Sequence, residues 1–115
     1  MAINNDAVVN TTSKYIVKST GTGSETDQVL VNANDLTDGT NESLVCLIEC
    51  YHLIEGTGKL TISVDSEKDD LELTGKGKYG LRPDQLQFGN DKVFKITTDE
   101  NVKSYLLVTE FRRNN

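Results

Sequence analysis

The stretch Lys59–Asp65 reads KLTISVD, with Leu60, Ile62 and Val64 alternating with Thr61 and Ser63. A helix would scatter those three apolar residues around its circumference, whereas a strand puts them on one face. The same period of two recurs in KYIVK (14–18), DQVLVN (27–32), DLELT (70–74), KVFKITT (92–98) and VKSYLLVTEF (102–111). Each run is short and bounded by turn-forming segments: STGTGSET, NDLTDGTN, EGTG and GKGKYG. With LVCLIECYHLI (44–54) added, the spacing predicts an all-β fold. The expected form is an antiparallel β-sandwich, jelly-roll-like, with seven to eight short strands. In the last run Tyr105, Leu107 and Phe111 share one face while Leu106 and Val108 cover the other. A strand apolar on both sides is a central strand, or one that meets a partner.

Leu, Ile, Val and Phe total 31 of 115 residues, enough for one modest core. No repeat or linker divides residues 14–115, which are expected to form one domain. Residues 1–13 are polar and unpatterned, and read as a flexible N-terminal arm. MAINNDAVVN lacks the charged start and apolar run of a signal peptide, and no stretch approaches the roughly 18 apolar residues that span a bilayer. A soluble chain made in a cytosol is expected. In LRPDQLQF, Pro83 is placed to start a single helical turn stopped by Gly89. Eighteen acids against twelve bases give a net charge of −6, which argues against nucleic acid or an anionic membrane as the main partner.

LVCLIECYHLI holds both cysteines and the only histidine. As a helix capped by Asn41 and ended by Gly56, it would bring Cys46 and Cys50 to about 6 Å on one face. As a strand it separates them by about 13 Å. Zinc–sulfur bonds of about 2.3 Å and bridged Cα atoms within about 7 Å cannot span that. The strand is favoured, because Val45, Cys46, Ile48, Cys50, Tyr51 and His52 are mediocre helix formers and EGTG looks like a hairpin turn into KLTISVD. Leu44, Cys46, Ile48, Cys50 and His52 then share one face, and Val45, Leu47, Tyr51 and Leu53 the other. The cysteines become reduced, buried hydrophobes and His52 a packed or rim residue.

Other apparent motifs carry less. GKGKYG (75–80) matches G-x-G-x-x-G, but a phosphate-binding turn needs a helix next, and Leu81-Arg82-Pro83 opposes one. It reads as a flexible loop with two lysines. In DSEKDD (65–70) a calcium loop would need Gly sixth and Glu twelfth, where Asp70 and Lys76 stand, so a solvated hairpin turn is expected. Cys50 and His52 would lie about 6.6 Å apart on one strand face, with no third group to complete a nucleophilic site. No catalytic, cofactor-binding or metal-binding residue is expected, and the chain reads as a non-enzyme. Partner contact is assigned to Lys76, Lys78, Tyr79, Arg82, Arg112 and Arg113.

The runs SKYIVKSTGTGSETDQVLVNANDL, ECYHLIEGTGKLTISVD, GKGKYGLRPDQLQF and YLLVTEFR cover nearly the whole chain. In style and local wording it resembles small virion structural proteins of tailed bacteriophages, especially those of marine cyanobacteria. The resemblance implies a sandwich or jelly-roll module assembled into a virion in the host cytoplasm. Its partners would be the major capsid protein or other virion proteins, and its copies would form a homo-oligomer or an array. A decoration or cement subunit on the outer capsid surface comes first, and a tail, neck or fibre component is the alternative. An acidic domain suits the outside of a capsid better than its DNA-filled interior. The arm and the terminal FRRNN would order on neighbouring subunits. From a different class, a carbohydrate- or ligand-binding sandwich would use Lys78, Tyr79 and Arg82, but four Tyr and no Trp equip it poorly.

Overall fold

The strand with apolar residues on both sides lies at the centre of the molecule. In the computed structural model, which describes residues 3–40, 42–80 and 87–114, that strand is β10 (Val102–Asn114). It pairs antiparallel on one side with β2 (Lys14–Gly21) and on the other with β4 (Leu44–Gly56). Beyond them lie β1 (Asn4–Asn10) and β7 (Lys76–Gly80), giving the order β1-β2-β10-β4-β7, with β8 (Phe88–Asp91) also pairing β4. The second sheet has the order β3-β9-β5-β6, built from β3 (Gln28–Asn32), β9 (Val93–Thr98), β5 (Leu60–Ser63) and β6 (Leu71–Leu73). All pairings are antiparallel, and the two sheets form a jelly-roll-like β-sandwich.

The core lies between the inward faces. Phe94 of β9 stacks edge-on to Phe111 of β10 at 5.1 Å and to Phe88 of β8 at 6.3 Å, and Tyr15 lies 6.2 Å from Phe111. Around them Val17, Leu30, Val45, Leu47, Leu60, Ile62, Ile96 and Leu107 are fully buried. Burying such a side chain contributes about 1.5–3 kcal/mol, and an edge-on aromatic pair adds about 0.5–1.5. KLTISVD behaves as its period requires, because Leu60, Ile62 and Val64 all face this core.

Ten strands form among the described residues, three more than the seven alternating runs. Residues 4–10 are not a free arm: they pair with β2, and Asn5 reaches across to the carbonyl of Val29 at 2.9 Å. Their side chains stay largely exposed, so this edge strand is held by backbone bonds and leaves no apolar period in the sequence. GKGKYG is likewise strand β7 rather than a loop; its glycines let backbone pass close to β4. A Cβ on Gly80 would sit 2.2 Å from the carbonyl oxygen of Ile48, and Gly80 has φ +110°. FGND forms β8, while the helical turn expected at Pro83 falls outside the described residues.

Two connections differ from expectation. EGTG is no hairpin turn, since β4 and β5 belong to different sheets; it carries the chain from one layer to the other. STGTGSET is tied down: Ser24 N–H donates to Asp99 O (3.0 Å), Glu25 N–H to Thr98 Oγ1 (3.1 Å) and Thr98 N–H to Glu25 O (2.8 Å). DSEKDD does close a hairpin, between β5 and β6. Its Ser66 Oγ and Glu67 Oε2 accept hydrogen bonds from the backbone of Asn90 and Gly89, fastening β8 to the turn.

Candidate functional site

Residues 44–56 are a strand throughout, which settles the question raised by the two cysteines. One feature was invisible in the sequence. A β-bulge pairs Glu49 with Glu110 but Leu47 with Phe111, leaving Ile48 as the extra residue. The alternation therefore slips by one. Cys50 opposite Thr109 faces the core with His52 and Ile54, and beyond the bulge Val45 and Leu47 take the inward places. Cys46, opposite Arg112, is on the other side of the sheet, where it is buried with its thiol 3.2 Å from Asn90 Oδ1. The expected sharing of one face by Cys46, Cys50 and His52 is thus corrected.

Cys50 is closed off chemically. Burial pushes its thiol up to about 11, only partly offset by the Thr109 hydroxyl, which donates to Sγ at 3.7 Å. A thiol so held is not an activated nucleophile. His52 sits at the rim of the sandwich, with Nδ1 3.1 Å from the carbonyl of Gly75. Among the described residues no three His, Cys, Asp or Glu side chains are grouped to hold a metal ion, and no helix is long and apolar enough to cross a membrane.

The side chains assigned to partner contact are dispersed. Lys76 and Lys78 stand on the outward side of β7. Tyr79 points inward and packs half-buried on the core. Arg112 is exposed and donates to Gln87 Oε1 at 2.7 Å. Arg113 is buried, and its Nη1 donates to the carbonyl of Thr11, tying the end of β10 to the turn before β2. Arg82 lies outside the described residues. Among the described residues of this set, only the two lysines meet at one place.

That place is the outward face of the larger sheet. Register aligns its side chains in rows, because residues directly paired across strands point to the same side. One row runs Asp6, Lys18, Val108, Tyr51, Lys78, and the next Asn4, Thr20, Leu106, Leu53, Lys76. Tyr51 is 50% exposed and Leu53 42%, with Leu106 and Val108 partly buried beside them. Together these four floor a shallow groove rimmed by Lys76 and Lys78 and open to solvent. Lys78 pairs with Glu49 at 3.0 Å and lies 5.2 Å from the centre of the Tyr51 ring. Hydrogen bonds from Tyr51 and Lys78 hold the Glu49 carboxyl below the usual range, and the bond to Glu49 raises the Lys78 ammonium. The apolar pair on β10 was legible in the sequence. Its junction with Tyr51 and Leu53 was not, because it depends on which strands are neighbours and on the bulge.

No family model and no curated protein matches the chain. Among solved structures it is similar to a cupin domain from Bordetella pertussis Tohama I, at 8% identity and a TM-score of 0.47, over 99% of this chain and 95% of that one.

Proposed function

We propose that this protein is a structural subunit of a phage virion, acting by protein–protein contact rather than by chemistry, and most specifically a decoration or cement subunit on the outer surface of the capsid lattice. The observation that carries a contact role is the outward face of the larger sheet. Tyr51, Leu53, Leu106 and Val108 form a contiguous apolar strip in water, on strands whose other side already fills the core. Such a strip costs solubility unless something covers it. The virion setting rests on the sequence resemblance to small structural proteins of tailed phages. Particle proteins, foremost the major capsid protein, are accordingly the expected partners, and a place in the neck, tail or fibre is the variant of the same role.

A carbohydrate site is the competing idea that the exposed Tyr51 ring brings up, since sugars stack on open aromatic faces. Here the Lys78 ammonium is poised over that ring and the groove is open, so the platform is occupied and encloses little. The test is quantitative co-sedimentation with particles lacking the protein. Near-stoichiometric binding relative to the major capsid protein is expected. Six or twelve copies per particle would assign a neck or tail position, and no retention at any concentration would defeat the proposal.

A further inference from the structure

We infer that β1 is a two-point clasp across the gap between the sheets, able to open as one unit while the rest of the sandwich stays folded. The inference goes beyond the contact role above and does not depend on it. Two asparagines do the fastening. Asn5 Nδ2 donates to the carbonyl of Val29 on β3 at 2.9 Å, and Asn5 Oδ1 accepts from the buried Ser19 hydroxyl at 2.6 Å. At the other end Asn10 Oδ1 accepts from the N–H of Thr37, in the segment after β3, at 3.1 Å. An edge strand of the larger sheet is thus tied at two places to the smaller sheet and the chain that leaves it. Ile3 N–H adds a longer bond to Gln28 Oε1 at 3.3 Å.

A bulge in β1 makes the two-point hold possible. An odd number of steps separates Asn5 from Asn10, so a regular strand would turn them to opposite sides. The register slips between Ala7 and Val9, leaving Val8 as the extra residue, and sets Asn5 beside Ser19 and Asn10 beside Tyr15. Ser19 and Tyr15 both face inward and are buried, so both asparagines reach toward the second layer. Apart from its ladder to β2, little else holds the strand. Among the described residues the buried core takes no side chain from β1, six of whose seven residues are exposed. Peeling it away returns almost no apolar area to water, whereas β4 and β10 cannot part without opening the core. The opening has a natural hinge at Thr11. Its hydroxyl accepts from Lys14 N–H at 3.2 Å, and its carbonyl is held by the buried Arg113 of β10. Past that point β2 would keep its pairing with β10 and show a bare edge from Tyr15 to Thr20.

Hydrogen exchange of the purified full chain, read by mass spectrometry, tests this. The paired amides of β1 should exchange at least about 100-fold faster than those of β4 and β10, at a rate that urea below the unfolding transition leaves unchanged. They should still exchange about tenfold or more slower than an unpaired peptide. Asn5→Ala and Asn10→Ala should each speed exchange along the whole strand by about three- to tenfold, as the loss of one net hydrogen bond implies, with β4 and β10 unaffected. Asn5→Asp keeps the acceptor for Ser19 but loses the donor to Val29, and should match Asn5→Ala. Exchange of β1 in step with β4 and β10 would make it an integral strand, and exchange at the unprotected rate a free arm; either result overturns the inference. So would an effect confined to the mutated end, which describes fraying, or an Asn5→Asp variant that behaves as wild type.

Discussion

The two sides of β10 are made of similar residues and meet different fates. Inward, Tyr105, Leu107, Thr109 and Phe111 are buried under the smaller sheet; outward, Leu106, Val108 and Glu110 are only partly buried. Both sides alternate correctly and both are largely apolar. The difference lies in the cover, since the four strands of the smaller sheet pack on one side only. An apolar alternation therefore marks a strand as apolar on both sides without saying which side the second sheet covers.

Truncations should split these two sides. Phe111→Ala opens a cavity between Tyr15 and Phe94 and should cost about 3–5 kcal/mol in urea unfolding. A loss below 1 kcal/mol would mean the inward side is loosely packed. Alkaline titration probes the same interior. Cys50 has its pKa raised from 9.0 to about 11 in the fold, so the folded state holds that proton more tightly than the unfolded chain. Its contribution is complete below pH 9 and drains away between pH 9 and 11, by about 2–3 kcal/mol. Tyr15 and Tyr105, both raised by burial, extend the loss to higher pH. Cys50→Ala should flatten the first part of that ramp in melts run at successive pH values.

A smaller effect is expected where the start of β10 meets the loop before β3. Tyr105 donates to Oε1 of Glu25, a carboxylate only 4% exposed. Tyr105→Phe leaves that oxygen without its donor and should cost about 1–3 kcal/mol. Smallest of all, Leu53→Thr on the outward side should change monomer stability by no more than about 0.5 kcal/mol. Measured at low protein concentration, a larger loss would show that this side is part of the fold's own core after all.

The sequence revealed the sandwich because most strands carry their period openly, as Leu60, Ile62 and Val64 do. It concealed β1 and β7 because those edge strands are held by backbone bonds and show few apolar side chains to read. The outward apolar strip was half legible. Leu106 and Val108 announce themselves by alternation, but Tyr51 and Leu53 join them only through the pairing of β4 with β10. Residues chosen for charge and aromaticity fared unevenly for the same reason: Lys76 and Lys78 reach the groove, while Tyr79 and Arg113 turn inward. A side chain's direction on a strand is decided by register, which local composition does not encode.

The bulge at Ile48 has a covalent corollary. By slipping the alternation one place, it sends the sulfurs of Cys46 and Cys50 to opposite surfaces of a hydrogen-bonded layer, with that layer's backbone between them. No rotamer change can join them within one folded molecule. The same connectivity within one molecule should persist whether the surroundings are reducing or oxidising.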